Sequence, residues 1–242
     1  MKFENTEVWG FKHALHGMRN PKNSWDKNDS EIRNCDSCCE LICEECYETH
    51  VDSLCVHIGK NDMKLAQTLI KAGSEHRKFM RQIFVSVDIT APLFWWKEFD
   101  TYKVGTVANS TSTMHKITSQ PITLECFETD DYEIEVGLFM ELAVNVNNFI
   151  DTLEMLRKKY LETKDKRYWK ELIRWLPESW LQKRTVTMTY ENLLAMCSKG
   201  QRRFHKLNEW SGLDNNRNTN FISWARTLPY AQEFIFIDEV TE

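Results

Sequence analysis

Ile83-Phe84-Val85-Ser86-Val87-Asp88-Ile89, followed by Ala91-Pro92-Leu93-Phe94-Trp95-Trp96-Lys97-Glu98-Phe99, sets the architecture of this chain. The first seven residues alternate with a period of two, the pattern of a strand with one buried face. Pro92 then opens an aromatic run that predicts a short buried helix. Rings as bulky as Trp95 and Trp96 fill cores more often than they stack on cofactors, so both are expected inside.

Segments on either side carry helical spacing. Gly10–Arg19 places Phe11, Leu15 and Met18 on one side of a short helix, ended by Asn20-Pro21. Asn61-Asp62 reads as an N-cap before Leu65, Leu69 and Ala72, with Gly73 where a C-terminal cap belongs. Leu142, Val146, Phe149, Leu153, Leu156 and Tyr160 recur at steps of three and four, which predicts the longest helix over Leu138–Lys159. A shorter helix is expected over Tyr168–Trp175. Arg184–Thr189 is a strand or an extended link into a helix over Tyr190–Phe204, and a last helix covers Asn218–Thr227. The charges of Arg157–Lys170 mark a solvated helix face and turn. The expected fold class is α/β (α+β): a helix-rich single domain over residues 1–242 with a small mixed sheet and a Cys-rich insertion at 20–60.

The composition narrows the function classes. At 242 residues and 42% hydrophobic the chain can bury a substantial core. Its longest apolar stretches, Ile83–Val87 and Ala91–Trp96, are too short to span a bilayer, and Met1-Lys2-Phe3-Glu4-Asn5 lacks the apolar run of a signal peptide. A cytoplasmic protein is expected. With 31 Lys+Arg against 36 Asp+Glu the net charge is −5, which argues against coating duplex nucleic acid. One anionic ligand in a local basic pocket is still compatible with that balance.

Residues 20–60 are polar, irregular in pattern, and hold six of the eight cysteines. Cys35-x-x-Cys38 and Cys43-x-x-Cys46 can supply four thiolates to one structural zinc. Only four residues separate Cys38 from Cys43, a shorter link than a common zinc ribbon uses. Sets drawing on His50, Cys55 or His57, an iron–sulfur cluster, and reduced thiols without metal all stay open. Asp36, Glu40, Glu44 and Glu45 would raise neighbouring thiol pKa values, which argues against a nucleophilic cysteine.

The stretch from Glu75-His76 through the strand, Ala91-Pro92-Leu93-Phe94, Lys97, Phe99, Lys103, Thr106, Asn109 and Ser112 resembles the flavin-dependent thymidylate synthase (ThyX-type) family. That family has a Gly-His segment, a strand, A-P-I-F, then R-Q-W and the signature R-H-R-x-x-S-x-N-E-x-S-x-R-Y. The match is ungapped from Glu75 to Thr106 and needs one extra residue to place Asn109 and Ser112. Ala14-Leu15-His16-Gly17-Met18-Arg19 is similar to the early A-x-R segment. Leu176-Pro177, Thr187, Leu193 and His205-Lys206-Leu207-Asn208-Glu209 are similar to the later L-P…T…L and H-A-Q-x-E pattern.

This resemblance implies reductive one-carbon transfer to the uracil C5 of dUMP or a related pyrimidine nucleotide, with FAD, methylenetetrahydrofolate and NADPH, in a homotetramer. It places His76, Tyr102, Lys103 and Thr106 at the cofactor and Asn109 and Ser112 at the chemistry. Arg19, Lys97, Glu98, Arg184 and Arg202 fall to the substrate, with Arg203 a further cation. Departures from the pattern are specific. Thr101-Tyr102-Lys103 stands where the family has the flavin-contacting R-H-R, Glu98 replaces a Gln that helps hold dUMP, and Ser110 replaces the signature Glu. Met114, beside His115, replaces an Arg, and Thr189-Tyr190-Glu191 replaces Asn-x-Arg. Lysine cannot reproduce the bidentate fork of arginine. These changes leave a second reading, a non-catalytic relative that keeps the fold and binds a nucleotide or a partner. Residue by residue, plain structural roles compete: His76 as a satisfied structural histidine, and Asn109–Ser112 as a capping turn.

Overall fold

Strand β5 (Phe84–Pro92) takes up the alternating stretch, with Val85, Val87 and Ile89 buried and Ser86, Asp88 and Thr90 half-buried between them. In this computed structural model residues 1–34, 50–51, 54–102, 104–129, 138–202, 204–211 and 220–239 are described. β5 lies in a four-stranded sheet with β1 (Lys2–Trp9), β7 (Leu181–Thr189) and β6 (Val107–Ser110), in the order β1-β5-β7-β6. Trp9 stacks on Phe84 while Asn5 reaches Asp88, and Ser86 meets Thr187 while Asp88 meets Thr185, so neighbouring strands run oppositely. The sheet is antiparallel, not mixed as the sequence suggested. Its partners are remote in sequence, so strand periodicity carried no information about their direction. β1 gave no strand signal because it buries only Val8.

The chain divides into two compact units, one of Met1, Ile89–Thr101 and Asn109–Arg184, the other of Lys2–Asp88, Tyr102–Ala108 and Thr185–Glu242. In the first, α3 (Leu93–Phe99) follows Pro92 as expected and buries Trp95, Trp96 and Phe99 with ring centroids 4.8–5.4 Å apart. Helices α4 (Thr113–Lys116), α5 (Leu138–Thr163) and α6 (Lys166–Arg174) follow. Ile150 and Leu153 of α5 pack with Leu172 of α6, Ile117, Ile122 and Phe127. Part of the charged run is internal. Glu154 takes two 2.7 Å hydrogen bonds from Arg157 and one from the Ile122 amide at 2.9 Å, and Arg157 also reaches the Thr118 carbonyl.

The second unit holds α1 (Phe11–Gly17), α2 (Lys60–Lys71), α7 (Tyr190–Cys197), α8 (Lys199–Arg202), α9 (Asn208–Ser211), α10 (Phe221–Arg226) and α11 (Ala231–Phe234), and it contains a ring cluster of Phe11, Tyr190, Phe79 and Phe234. The helix expected over Tyr190–Phe204 breaks at Ser198, whose ψ is 146°, and the Lys199 amide turns to Asp238 instead. Within the expected polar insertion three strands are described. β2 (Glu31–Asn34), β3 (His50–Val51) and β4 (Leu54–His57) form an antiparallel sheet with Glu31 opposite His57 and Arg33 opposite Cys55. Cys35, Cys38, Cys43 and Cys46 lie outside the described residues.

Asn61-Asp62 does not cap α2. Gly59 is the N-cap residue and Asp62 is buried within the first turn. Asp29 supplies the missing acceptor from a distant loop, taking the amides of Asn61 at 2.8 Å and Asp62 at 3.0 Å, where a helix start favours negative charge. Gly59 permits this approach, since a Cβ there would stand 2.2 Å from the Asp29 carbonyl oxygen.

Candidate functional site

His76 sits on the turn after α2, where Gly73 takes φ +107° and its carbonyl accepts the amides of His76 and Arg77. The histidine is exposed on the rim of a recess of about 330 Å³. Met18, Leu65, Leu69 and Phe79 give the recess apolar walls, and Lys22, Lys78 and Glu75 also line it, the last two paired at 3.7 Å. The remaining wall is the chain segment after Arg19, through Asn20, Pro21 and Ser24.

Arg19 holds that wall from behind. It is 3% exposed, and its Nε and Nη2 lie 2.6 Å from Asp62 Oδ1. Nη1 donates to the Ser24 carbonyl and Nη2 to the Lys27 carbonyl. Asp62 Oδ2 accepts from the amides of Asp29 and Ser30 and from the Ser30 hydroxyl. Charge and hydrogen bonds are therefore satisfied on both sides of a buried pair, the condition under which such a pair is tolerated. The structure places Arg19 as the anchor of the recess wall, with its guanidinium turned into the protein.

Tyr102 and Thr106 frame a tight turn in the same unit. Gly105 adopts φ +80°, a conformation costly for a residue with a Cβ. Asn192 fixes the turn by donating to the Val104 carbonyl at 2.7 Å, and Thr106 Oγ1 donates to the Tyr102 carbonyl. The Tyr102 hydroxyl accepts from Gln201 Nε2 at 2.8 Å and stands 3.4 Å from His205 Nε2. His205, 4% exposed, lies flat on Trp210 with centroids 4.4 Å apart and has its Nε2 3.2 Å from the Met196 carbonyl oxygen. Two sequence-remote segments, the Tyr102 turn and His205, thus meet, which no local pattern announces. Lys103 and Arg203 lie outside the described residues, and of Arg202 only its place in α8 is described.

In the first unit the predicted residues are placed as follows. Lys97 pairs with Glu178 at 2.6 Å, both exposed. Glu98 is half-buried on α3, and its carbonyl accepts from the Thr101 hydroxyl. Arg184 binds Asp100 at 2.9 Å and Gln182 at 3.0 Å while lying 4.3 Å over the Trp96 ring. Asn109 is exposed on β6. Ser112 caps α4: its Oγ accepts the His115 amide and lies 2.7 Å from His115 Nδ1. The capping role read from the sequence is present, together with a hydroxyl–imidazole contact that sequence reasoning missed. A three-residue spacing at a cap was the available signal.

Among the described residues no group of three or more His, Cys, Asp or Glu side chains is arranged to hold a metal ion, and no helix is long and apolar enough to cross a membrane.

No protein-family model and no curated protein sequence matches this chain. Solved structures do. Flavin-dependent thymidylate synthase ThyX from Helicobacter pylori, crystallised with FAD and dUMP, matches with a TM-score of 0.60 and 15% identity over 98% of this chain and 99% of that chain. A second structure of that enzyme with FAD and dUMP matches with a TM-score of 0.62 and 14% identity over 100% of both chains. At this identity the likeness is one of fold, and it extends from end to end.

Proposed function

We propose that this ThyX-fold chain is a divergent flavin-dependent thymidylate synthase-like enzyme of the cytoplasm, acting on dUMP or a related pyrimidine nucleotide with FAD, methylenetetrahydrofolate and NADPH, and assembled as a homotetramer. The observation that carries the reading is the full-length likeness to a fold solved with FAD and dUMP. The sequence resemblance over Glu75–Ser112 supports it independently of any superposition. FAD, when bound, supplies the reducing equivalents; the protein orients the reactants and excludes water.

The residues fit that task in part. Tyr102, held by Gln201 and adjacent to His205, offers a fixed ring and hydroxyl to a flat cofactor in place of the family triplet. His76 offers an exposed imidazole beside an apolar recess. Asn109 and Ser112 offer polar contacts to the uracil edge, with His115 Nδ1 2.7 Å from the Ser112 hydroxyl. Arg19, Arg184 and Lys97 are paired with Asp62, Asp100 and Glu178, so in this reading the nucleotide phosphate falls to Lys103 and Arg202.

The absorption spectrum of protein purified without added cofactor tests the reading first. Two resolved flavin bands are expected, followed by thymidylate formation from dUMP with NADPH and methylenetetrahydrofolate. Failure of a well-expressed protein to rescue a thymidine-requiring strain, despite bound flavin, would remove dUMP methylation while keeping the cofactor.

The commitment of both arginines favours a second reading, a non-catalytic ThyX-fold protein that binds a nucleotide or a partner. A spectrum with protein absorption alone, unchanged by excess FAD, is its expected outcome.

A further inference from the structure

A second recess, of about 290 Å³, lies in the unit that contains α2 and α7 and includes none of the residues assigned above. Buried Ile70, Leu194 and Ile237 give it an apolar floor. Two cations line it, Lys71 at the end of α2 and Arg77 just beyond the turn. Arg77 is oriented from behind: its Nε donates to Glu191 Oε1 at 3.2 Å, and Arg81 binds the same carboxylate. Burial works against the charge of Glu191, but Arg81 and Arg77 prevail and hold its carboxyl below the usual range. The Arg77 guanidinium is therefore fixed through Nε, and its side chain remains a quarter exposed. No hydrogen bond or ion pair engages Arg77 Nη1, Arg77 Nη2 or Lys71 Nζ among the described residues. Ser198 and Asp238 complete the lining; the Ser198 hydroxyl oxygen accepts from the Gln201 amide, and Asp238 accepts from the Lys199 amide.

We propose that this recess binds a small organic oxyanion, with its carboxylate or phosphate on Arg77 and Lys71, a short aliphatic body on Ile70, Leu194 and Ile237, and a hydroxyl or ammonium directed at Asp238. A pre-oriented guanidinium with its terminal donors unused is the arrangement that recognises such oxyanions in a planar, bidentate manner. The volume, just below the range of about 300–1,000 Å³ for sites of drug-sized molecules, suits a small ligand. The site is independent of the flavin reading, because it uses neither Tyr102 nor His76.

Titration of the full chain with 4-hydroxybutyrate, butyl phosphate and 1-butanol, followed by methyl NMR, tests this. Saturable shifts of the Ile70, Leu194 and Ile237 methyls are expected with at least one of the two anions and not with 1-butanol, and the stronger of the two identifies the head group. Lys71→Met is expected to weaken binding about tenfold, the loss of one contact of about 1.4 kcal/mol. Ala195→Trp, at an exposed position that also lines the recess, is expected to fill it and abolish the shifts, with methyl signals elsewhere unchanged. Absence of saturable shifts up to about 10 mM, equal binding of 1-butanol, or undiminished affinity in Lys71→Met would overturn the proposal.

Discussion

Single residues settle which charges belong to the protein and which face outward. Arg19 and Asp62 are 43 positions apart, yet they form a buried pair that anchors the segment from Asn20 to Ser30. Asp62→Asn leaves a buried guanidinium without its counter-charge, so a loss of about 3–5 kcal/mol is expected in chemical denaturation. Gly105→Ala introduces a Cβ at φ +80°, 3.3 Å from the Asn192 amide, and should cost about 1–2 kcal/mol. Its circular dichroism should stay native, since the strain is confined to one turn.

Capping and pairing within elements set the next level of stability. Thr189 and Asn192 form a reciprocal capping box at the start of α7, so Thr189→Ala should lower stability by about 1 kcal/mol, read as a shift in thermal midpoint of about 2–4 °C. On α5, hydrogen bonds from Arg157 are the largest influence on Glu154 and lower its pKa from 4.5 to about 2. A depressed carboxyl stabilises the fold fully above its unfolded value and loses that contribution as pH falls through the folded one. Stability should therefore decline between about pH 4.5 and pH 2, and Glu154→Gln should remove that part of the decline while lowering stability at neutral pH. Urea midpoints measured across that range check both.

For the whole molecule, fold and activity are separate questions. A likeness at 14–15% identity carries the architecture, while Arg19 and Arg184 are paired with carboxylates of the protein itself. Ligand linkage separates the two without an activity assay. FAD at about a hundred times its Kd should add about 2.7 kcal/mol to unfolding stability under the enzymatic reading, and nothing under the non-catalytic one.

Local periodicity determined a good part of this protein. The β5 alternation, the buried α3 rings and the α5 stripe were legible because strand and helix spacings are set by neighbours two to four residues away. The motif order from Glu75 to Ser112 pointed to the same fold that the superpositions show. Tertiary structure alone decided that Asp29 caps a helix begun 31 residues later, that the sheet is antiparallel, that Arg19 and Arg184 face carboxylates of the protein, and that Tyr102 meets His205. Each of these joins residues remote in sequence. Their partners are selected by packing and charge neutralisation across the folded chain, quantities that no window of neighbouring residues contains.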